Sequence, residues 1–189
     1  MKENLTSLLD ISPVIGAINT YDDLKKIILT DINIVFILSS NILEISNMVD
    51  ILKKNNKFVF IHIDLIEGLS SRSILSIDYL IKNTKLDGII STKHNMIKYA
   101  KTKNLVTIQR FFILDSLSLN NSLKGAKESC PDAIEILPGL MPKIIKEIKN
   151  SIKIPVIAGG LIKDKSDVIS ALEAGAYGVS STSKDVWNM

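Results

Sequence analysis

Residues 154–184 read IPVIAGGLIKDKSDVISALEAGAYGVSSTSK. Residues 156–158, apolar and directly behind Pro155, have the composition of a parallel strand buried on both faces. Gly159 and Gly160 follow, and they let the backbone turn tightly and come close to a ligand without a Cβ in the way. From 164 to 174, Val168, Ile169 and Leu172 recur at helical spacing, and Gly175 stands where a glycine past a helix C-terminus belongs. Residues 177–179 form the next strand, which runs into Ser180, Ser181, Thr182 and Ser183. Two successive strand-to-helix turns thus offer bare amides and then amides with hydroxyls. The helix N-terminus behind such a turn adds partial positive charge and free N–H donors. That combination suits a phosphate group. Each half alone has a plainer reading, a turn for the glycines and a helix cap for the serines. Their position decides: the loops after strands seven and eight of a (β/α)8 barrel form a recurring phosphate site.

The rest of the chain supplies the other six strand–helix units. Strand patterns fall at 13–18, 32–38, 57–63, 87–90, 106–108 and 133–137, and helical patterns at 5–10, 22–29, 42–54, 74–82, 94–101 and 142–149. Pro142 occupies the first helical position, where its missing N–H costs nothing. Repeated β–α alternation with no hairpin signal predicts a parallel sheet, and eight units predict closure into a TIM-type barrel. An open doubly wound sheet is the alternative, but no early G-x-G-x-x-G turn supports it. With 189 residues, where such barrels take about 250, the helices and loops must be short. No linker or low-complexity stretch divides the chain, so residues 1–189 are expected to form one α/β domain.

Composition narrows the function classes. No apolar run approaches the roughly 20 residues of a membrane span, and the N-terminus lacks the pattern of a signal peptide, so a cytoplasmic protein without a membrane partner is expected. The single cysteine, Cys130, allows no internal disulfide and no metal cluster; it is expected to be a half-buried structural thiol. Nothing in the chain calls for a cofactor. A net charge of +3 from 23 basic and 20 acidic residues neither supports nor excludes RNA as a partner. Self-association into a homo-oligomer is left open.

In a barrel, polar residues just past the strand ends share one mouth. Those positions collect Asp64, Glu67, Lys93, Arg110, Glu135, Gly159, Gly160, Ser180 and Ser181. The glycines and serines are the phosphate cradle, and the five charged residues are candidate ligand contacts. Arg110 and Lys93 could equally form structural ion pairs across the mouth. His62 and Asp64, two apart on a strand, point the same way, but no third metal ligand accompanies them. His62 is expected to be a hydrogen-bonded core histidine, and His94 to be exposed.

Five segments, FVFIHIDLIEGLS (58–70), DGIISTKHNMIKYAK (87–101), LVTIQRFFILDS (105–116), PDAIEILPGLMPKII (131–145) and residues 154–183, resemble the glycerol uptake operon antiterminator proteins. The resemblance covers nearly the whole chain in order, with IQRFF-x-LDS and IEILPG its most specific parts. It implies a barrel-type regulator, not an enzyme, with glycerol 3-phosphate as effector and a leader mRNA as target. On that reading Gly159, Gly160, Ser180 and Ser181 hold the phosphate, and Asp64, Glu67, Lys93, Arg110 and Glu135 line the mouth. The 110–130 segment, with Arg110, Lys124 and Lys127, is a candidate RNA surface. The competing reading is a barrel enzyme acting on a small phosphate ester, an isomerase, aldolase or phosphodiesterase using Asp64, Glu67 or Lys93.

Overall fold

A computed structural model describes residues 5–189. In chain order the elements are α1 (Leu5–Ile11), β1 (Val14–Ile18), α2 (Tyr21–Ile27), β2 (Ile34–Ile37), β3 (Ser40–Asn41), α3 (Ile45–Lys54), β4 (Phe58–His62), a 3-10 turn (Ile63–Leu65) and β5 (Ile66–Glu67). They continue as α4 (Leu75–Asn83), β6 (Gly88–Ser91), α5 (His94–Thr102), β7 (Val106–Phe112), α6 (Ser116–Ser129), β8 (Ala133–Leu137), α7 (Pro142–Ser151), β9 (Val156–Gly159), α8 (Lys165–Glu173), β10 (Gly178–Ser181) and α9 (Lys184–Trp187). Eight of the strands close into a parallel barrel in the order β1-β10-β9-β8-β7-β6-β4-β2. This is the expected TIM-type (β/α)8 architecture.

Register fixes which side chains point inward. Ile15 pairs with Ser180 and with Ile34, Ala17 with Phe36, Phe36 with Phe60, His62 with Ile90, Ile90 with Ile108, and Arg110 with Glu135. In-register residues of parallel neighbours share a face, so one buried apolar cluster of Ile15, Ala17, Ile34, Phe36, Phe60, Ile90, Ile108, Ala133 and Ile157 fills the barrel. Leu5, Leu8 and Leu9 of α1 belong to the same cluster and plug its lower end. Two outer clusters join the helices to the barrel wall, one around β2, β4 and α3, the other around β8, β9, α7 and α8. Among the described residues, polar groups enter the lumen only toward the C-terminal ends of the strands, at His62, Arg110, Glu135 and Ser180.

Three features differ from the sequence reading. Helix α6 has no counterpart among the expected elements. Its buried face is Leu119, Ser122, Gly125, Ala126 and Ser129, so the apolar period that marks a helix is missing. Small residues seat it close to the barrel instead: the Ser129 hydroxyl donates to Gln109 Oε1, and His94 lies against Gly125. Second, β3 and β5 form a separate two-stranded sheet, Ser40 opposite Ile66 and Asn41 opposite Glu67, where only a loop was expected. Third, Cys130 is exposed, not half-buried. It ends α6 in the left-handed conformation, φ 48°, which turns its side chain out toward the Lys127 carbonyl.

Candidate functional site

The C-terminal mouth of the barrel holds a pocket of about 90 Å³. Its polar wall is Arg110, Glu135, Ser180, Ser181 and Thr182, and Ala17, Leu38, Leu137, Leu161 and Ile162 supply the apolar side, with Gly160 between them. Arg110, Glu135 and Ser180 are one connected unit. Arg110 Nε donates to Glu135 Oε2 at 2.6 Å, and Ser180 Oγ donates to Glu135 Oε1 at 2.6 Å. Glu135 is only 1% exposed and Arg110 6%. A carboxylate at that depth is sustained by such charge-assisted contacts. Nε is the only guanidinium nitrogen of Arg110 that meets a protein acceptor among the described residues, so the far side of the guanidinium faces the pocket uncommitted.

Gly159 lies beneath this unit. A Cβ there would stand 2.6 Å from both Glu135 Oε1 and Ser180 Oγ, so glycine is what allows β8 and β10 to bond across β9. Gly160 turns the chain at φ +73°, and Leu161 follows at φ 64°. Among the described residues, the amides of Gly160, Leu161 and Thr182 donate to no protein acceptor. Ser181 ties the two loops together: its hydroxyl donates to the Ile162 carbonyl at 2.7 Å and accepts from the Ser183 amide at 3.0 Å. Ser183 Oγ donates to the Lys163 carbonyl at 2.8 Å, and Trp187 Nε1 donates to the Ser181 carbonyl at 2.8 Å. The hydroxyls therefore shape the turns, and the unpaired amides and Arg110 are the groups left to meet an anion.

Of the nine residues singled out from the sequence, Arg110, Glu135, Gly160, Ser180 and Ser181 line the pocket, and Gly159 supports it. The other three stand outside it. Asp64 accepts from Ser91 Oγ at 2.6 Å and from the Thr92 amide and hydroxyl, each at 2.7 Å, which fastens the β4 end to the β6 end. Glu67 is exposed on the small β3–β5 sheet, and Lys93 is exposed at the N-cap of α5. The pocket residues without a sequence-based expectation are mostly apolar, among them Leu38, Leu137, Leu161 and Ile162; all lie within three residues of a strand end.

His62 is buried at the inward end of β4, at 2% exposure, but its Nδ1 has no hydrogen-bond partner, contrary to the expectation of a bonded core histidine. Burial, and then the positive charge of Arg110, lower its pKa to about 4, against the opposing pull of Asp64. His94 is exposed as expected, with Nδ1 3.0 Å from Gln109 Nε2. The burial of Arg110 also removes it from any RNA-facing surface in the 110–130 segment. Among the described residues no group of three or more His, Cys, Asp or Glu side chains could hold a metal ion, and no helix is long and apolar enough to cross a membrane.

Comparison with known proteins adds a family to this geometry. A family model described as "Glycerol-3-phosphate responsive antiterminator" matches residues 14–187. The chain is 41% identical over 185 residues to a protein of Escherichia coli strain K12 named "Uncharacterized protein YgcP", covering 98% of this chain and 96% of that protein. Among solved structures it resembles a glycerol uptake operon antiterminator regulatory protein from Listeria monocytogenes, at 33% identity and a TM-score of 0.89, covering 93% of this chain and 95% of that one. A glycerol uptake operon antiterminator-related protein from Thermotoga maritima is also similar, at 29% identity and a TM-score of 0.82, with 93% and 98% covered.

Proposed function

The chain belongs to the glycerol-3-phosphate responsive antiterminator family, and from that membership we propose that it binds glycerol 3-phosphate at its barrel mouth and so controls a leader RNA. The observation that carries the ligand half is the uncommitted side of Arg110 opposite the unpaired amides of Gly160, Leu161 and Thr182, across one small pocket. A phosphate dianion placed there meets a buried cation and free N–H donors in a low-dielectric site, where each contact outweighs its counterpart in water. The carboxylate of Glu135 holds Arg110 in place and rejects anions that do not engage the amides. The apolar wall of Ala17, Leu38 and Leu137 faces the carbon skeleton.

A ligand regulates only by binding one state more tightly than another. Phosphate capture orders the Gly160–Leu161 turn. The Gly139 amide donates to the Gly160 carbonyl at 3.1 Å, so the same event reaches the loop that starts α7. The enzyme alternative has less to work with: Asp64 is held by three hydrogen bonds, and Glu67 and Lys93 stand outside the pocket.

Calorimetric titration with glycerol 3-phosphate, with glycerol and inorganic phosphate as controls, tests the proposal. Saturable binding is expected for the wild-type protein and loss of it for Gly160→Asp, which puts a carboxylate into the cradle. Wild-type protein that ignores glycerol 3-phosphate would sink the effector assignment.

A further inference from the structure

We propose that the flank of the barrel formed by α5, α6 and α7 is the RNA-binding face, centred on the groove between Lys127, Lys149 and Lys153. This rests on the reading of the protein as an RNA regulator and adds the surface. The near-neutral whole-chain charge conceals an asymmetry. Residues 93–153 hold eleven of the 23 Lys and Arg residues but only five of the 20 Asp and Glu residues. The remainder of the chain therefore has twelve cations against fifteen acids, an excess of six charges here and a deficit of three elsewhere. These residues are not scattered in space, because α5, α6 and α7 follow β6, β7 and β8, which are adjacent in the barrel.

Pairing leaves most of this contrast in place, with Lys103 neutralised by Asp78 of α4 at 3.2 Å. Arg110 and Glu135 cancel each other inside the barrel. Of the acids left on this flank, Glu128 and Asp132 each lie 4.0 Å from a lysine, Lys124 and Lys101. Lys127, Lys149 and Lys153 form no ion pair among the described residues, and with Asn150 they surround one groove of about 510 Å³ between the ends of α6 and α7. Lysines in a last helical turn complement the helix dipole, which accounts for Lys127 or Lys149 singly. It does not account for the concentration of unpaired cations on three consecutive helices while acids predominate elsewhere. A polyanion with regularly spaced charges is the partner this face fits, and neutralising each phosphate releases a counterion. The loop ahead of α7 is bonded to the Gly160 carbonyl, which joins this helix to the loops that line the mouth pocket.

The test is fluorescence anisotropy with a labelled single-stranded oligouridine and a labelled RNA hairpin across a salt series, paired with glycerol 3-phosphate calorimetry on the same proteins. The variants are K127E/K149E/K153E and, as a control from α2 and α3, K25E/K26E/K54E; thermal melts establish that both fold. The flank variant should lose more than about tenfold in RNA affinity and about 2 from the magnitude of the log–log salt slope, at roughly 0.7 per phosphate contact. The control should stay within about twofold of wild type, and glycerol 3-phosphate binding should be the same in all three. RNA affinity that survives K127E/K149E/K153E, or a wild-type protein that binds neither RNA at low salt, overturns the proposal. So does equal binding of polyglutamate, which would assign the face to an acidic protein. Absent glycerol 3-phosphate binding with the RNA results as expected would remove the effector and leave this face standing.

Discussion

Glu135→Gln probes the electrostatic logic of the mouth most directly. Glutamine keeps the shape, and it can still accept from Arg110 Nε and donate to Ser180 Oγ, so both 2.6 Å contacts have a neutral substitute. What disappears is the charge opposite a guanidinium that is only 6% exposed. Charge centres about 4 Å apart at an effective dielectric of 20 interact by about 4 kcal/mol. Removing one partner of a buried pair costs about 3–5 kcal/mol. With the neutral hydrogen bonds retained, a loss of about 3 kcal/mol is expected, a melting temperature lower by about 6–12 °C for a chain of this size. The same change leaves Arg110 without a carboxylate to share, so inorganic phosphate or sulfate should stabilise E135Q more than wild type. At a hundredfold excess over its dissociation constant, an anion restores about 2.7 kcal/mol. Urea denaturation in anion-free buffer and again with phosphate reads both effects. E135Q within about 0.5 kcal/mol of wild type without phosphate, or gaining no more than wild type from it, would refute the assignment of Arg110 as an anion-facing cation.

Three further outcomes follow from individual residues. His62 has a folded-state pKa of about 4 against 6.5 unfolded, so the unfolded chain binds the extra proton between those values. Stability should therefore rise with pH across that window, by up to about 3 kcal/mol, and His62→Leu should flatten the rise in denaturation measured at several pH values. At Gly88 a Cβ would fall 2.2 Å from the Val106 carbonyl oxygen and 2.6 Å from the Phe60 ring. Gly88→Ala should cost more than about 3 kcal/mol, and a variant melting within a few degrees of wild type would contradict the barrel register at β6. Cys130 is left-handed and exposed, so Cys130→Gly should relieve about 1 kcal/mol of backbone strain and raise the melting temperature by about 2–4 °C in a thermal scan.

The fold was legible because its signal is repetitive. Stretches such as residues 34–37 and 58–61 are continuous apolar runs, and their spacing by helices allows little except a parallel sheet. Helix α6 escaped because it is seated by Ser122, Gly125 and Ser129, residues whose smallness matters only once the distance to β7 and α5 is known. The site was partly legible for a related reason. Strand-end position alone places Asp64, Glu67 and Lys93 at the mouth together with Arg110 and Glu135. What separates them is parity and the point at which each chain segment leaves its strand. Arg110 and Glu135 are in register and inward while still inside β7 and β8, so their side chains have no course except the lumen. Asp64 is two residues past the inward His62, but β4 has already ended and the 3-10 turn at Ile63–Leu65 swings its carboxylate onto Ser91 and Thr92. Glu67 follows that turn onto a different sheet altogether. A charged residue at a barrel mouth becomes a ligand group only if its strand lasts long enough to aim it. Here β7 and β8 continue to Phe112 and Leu137, two residues beyond Arg110 and Glu135, and β4 stops at His62. That difference in strand length sets the Arg110 guanidinium in the pocket and leaves Asp64 to fasten the neighbouring strands.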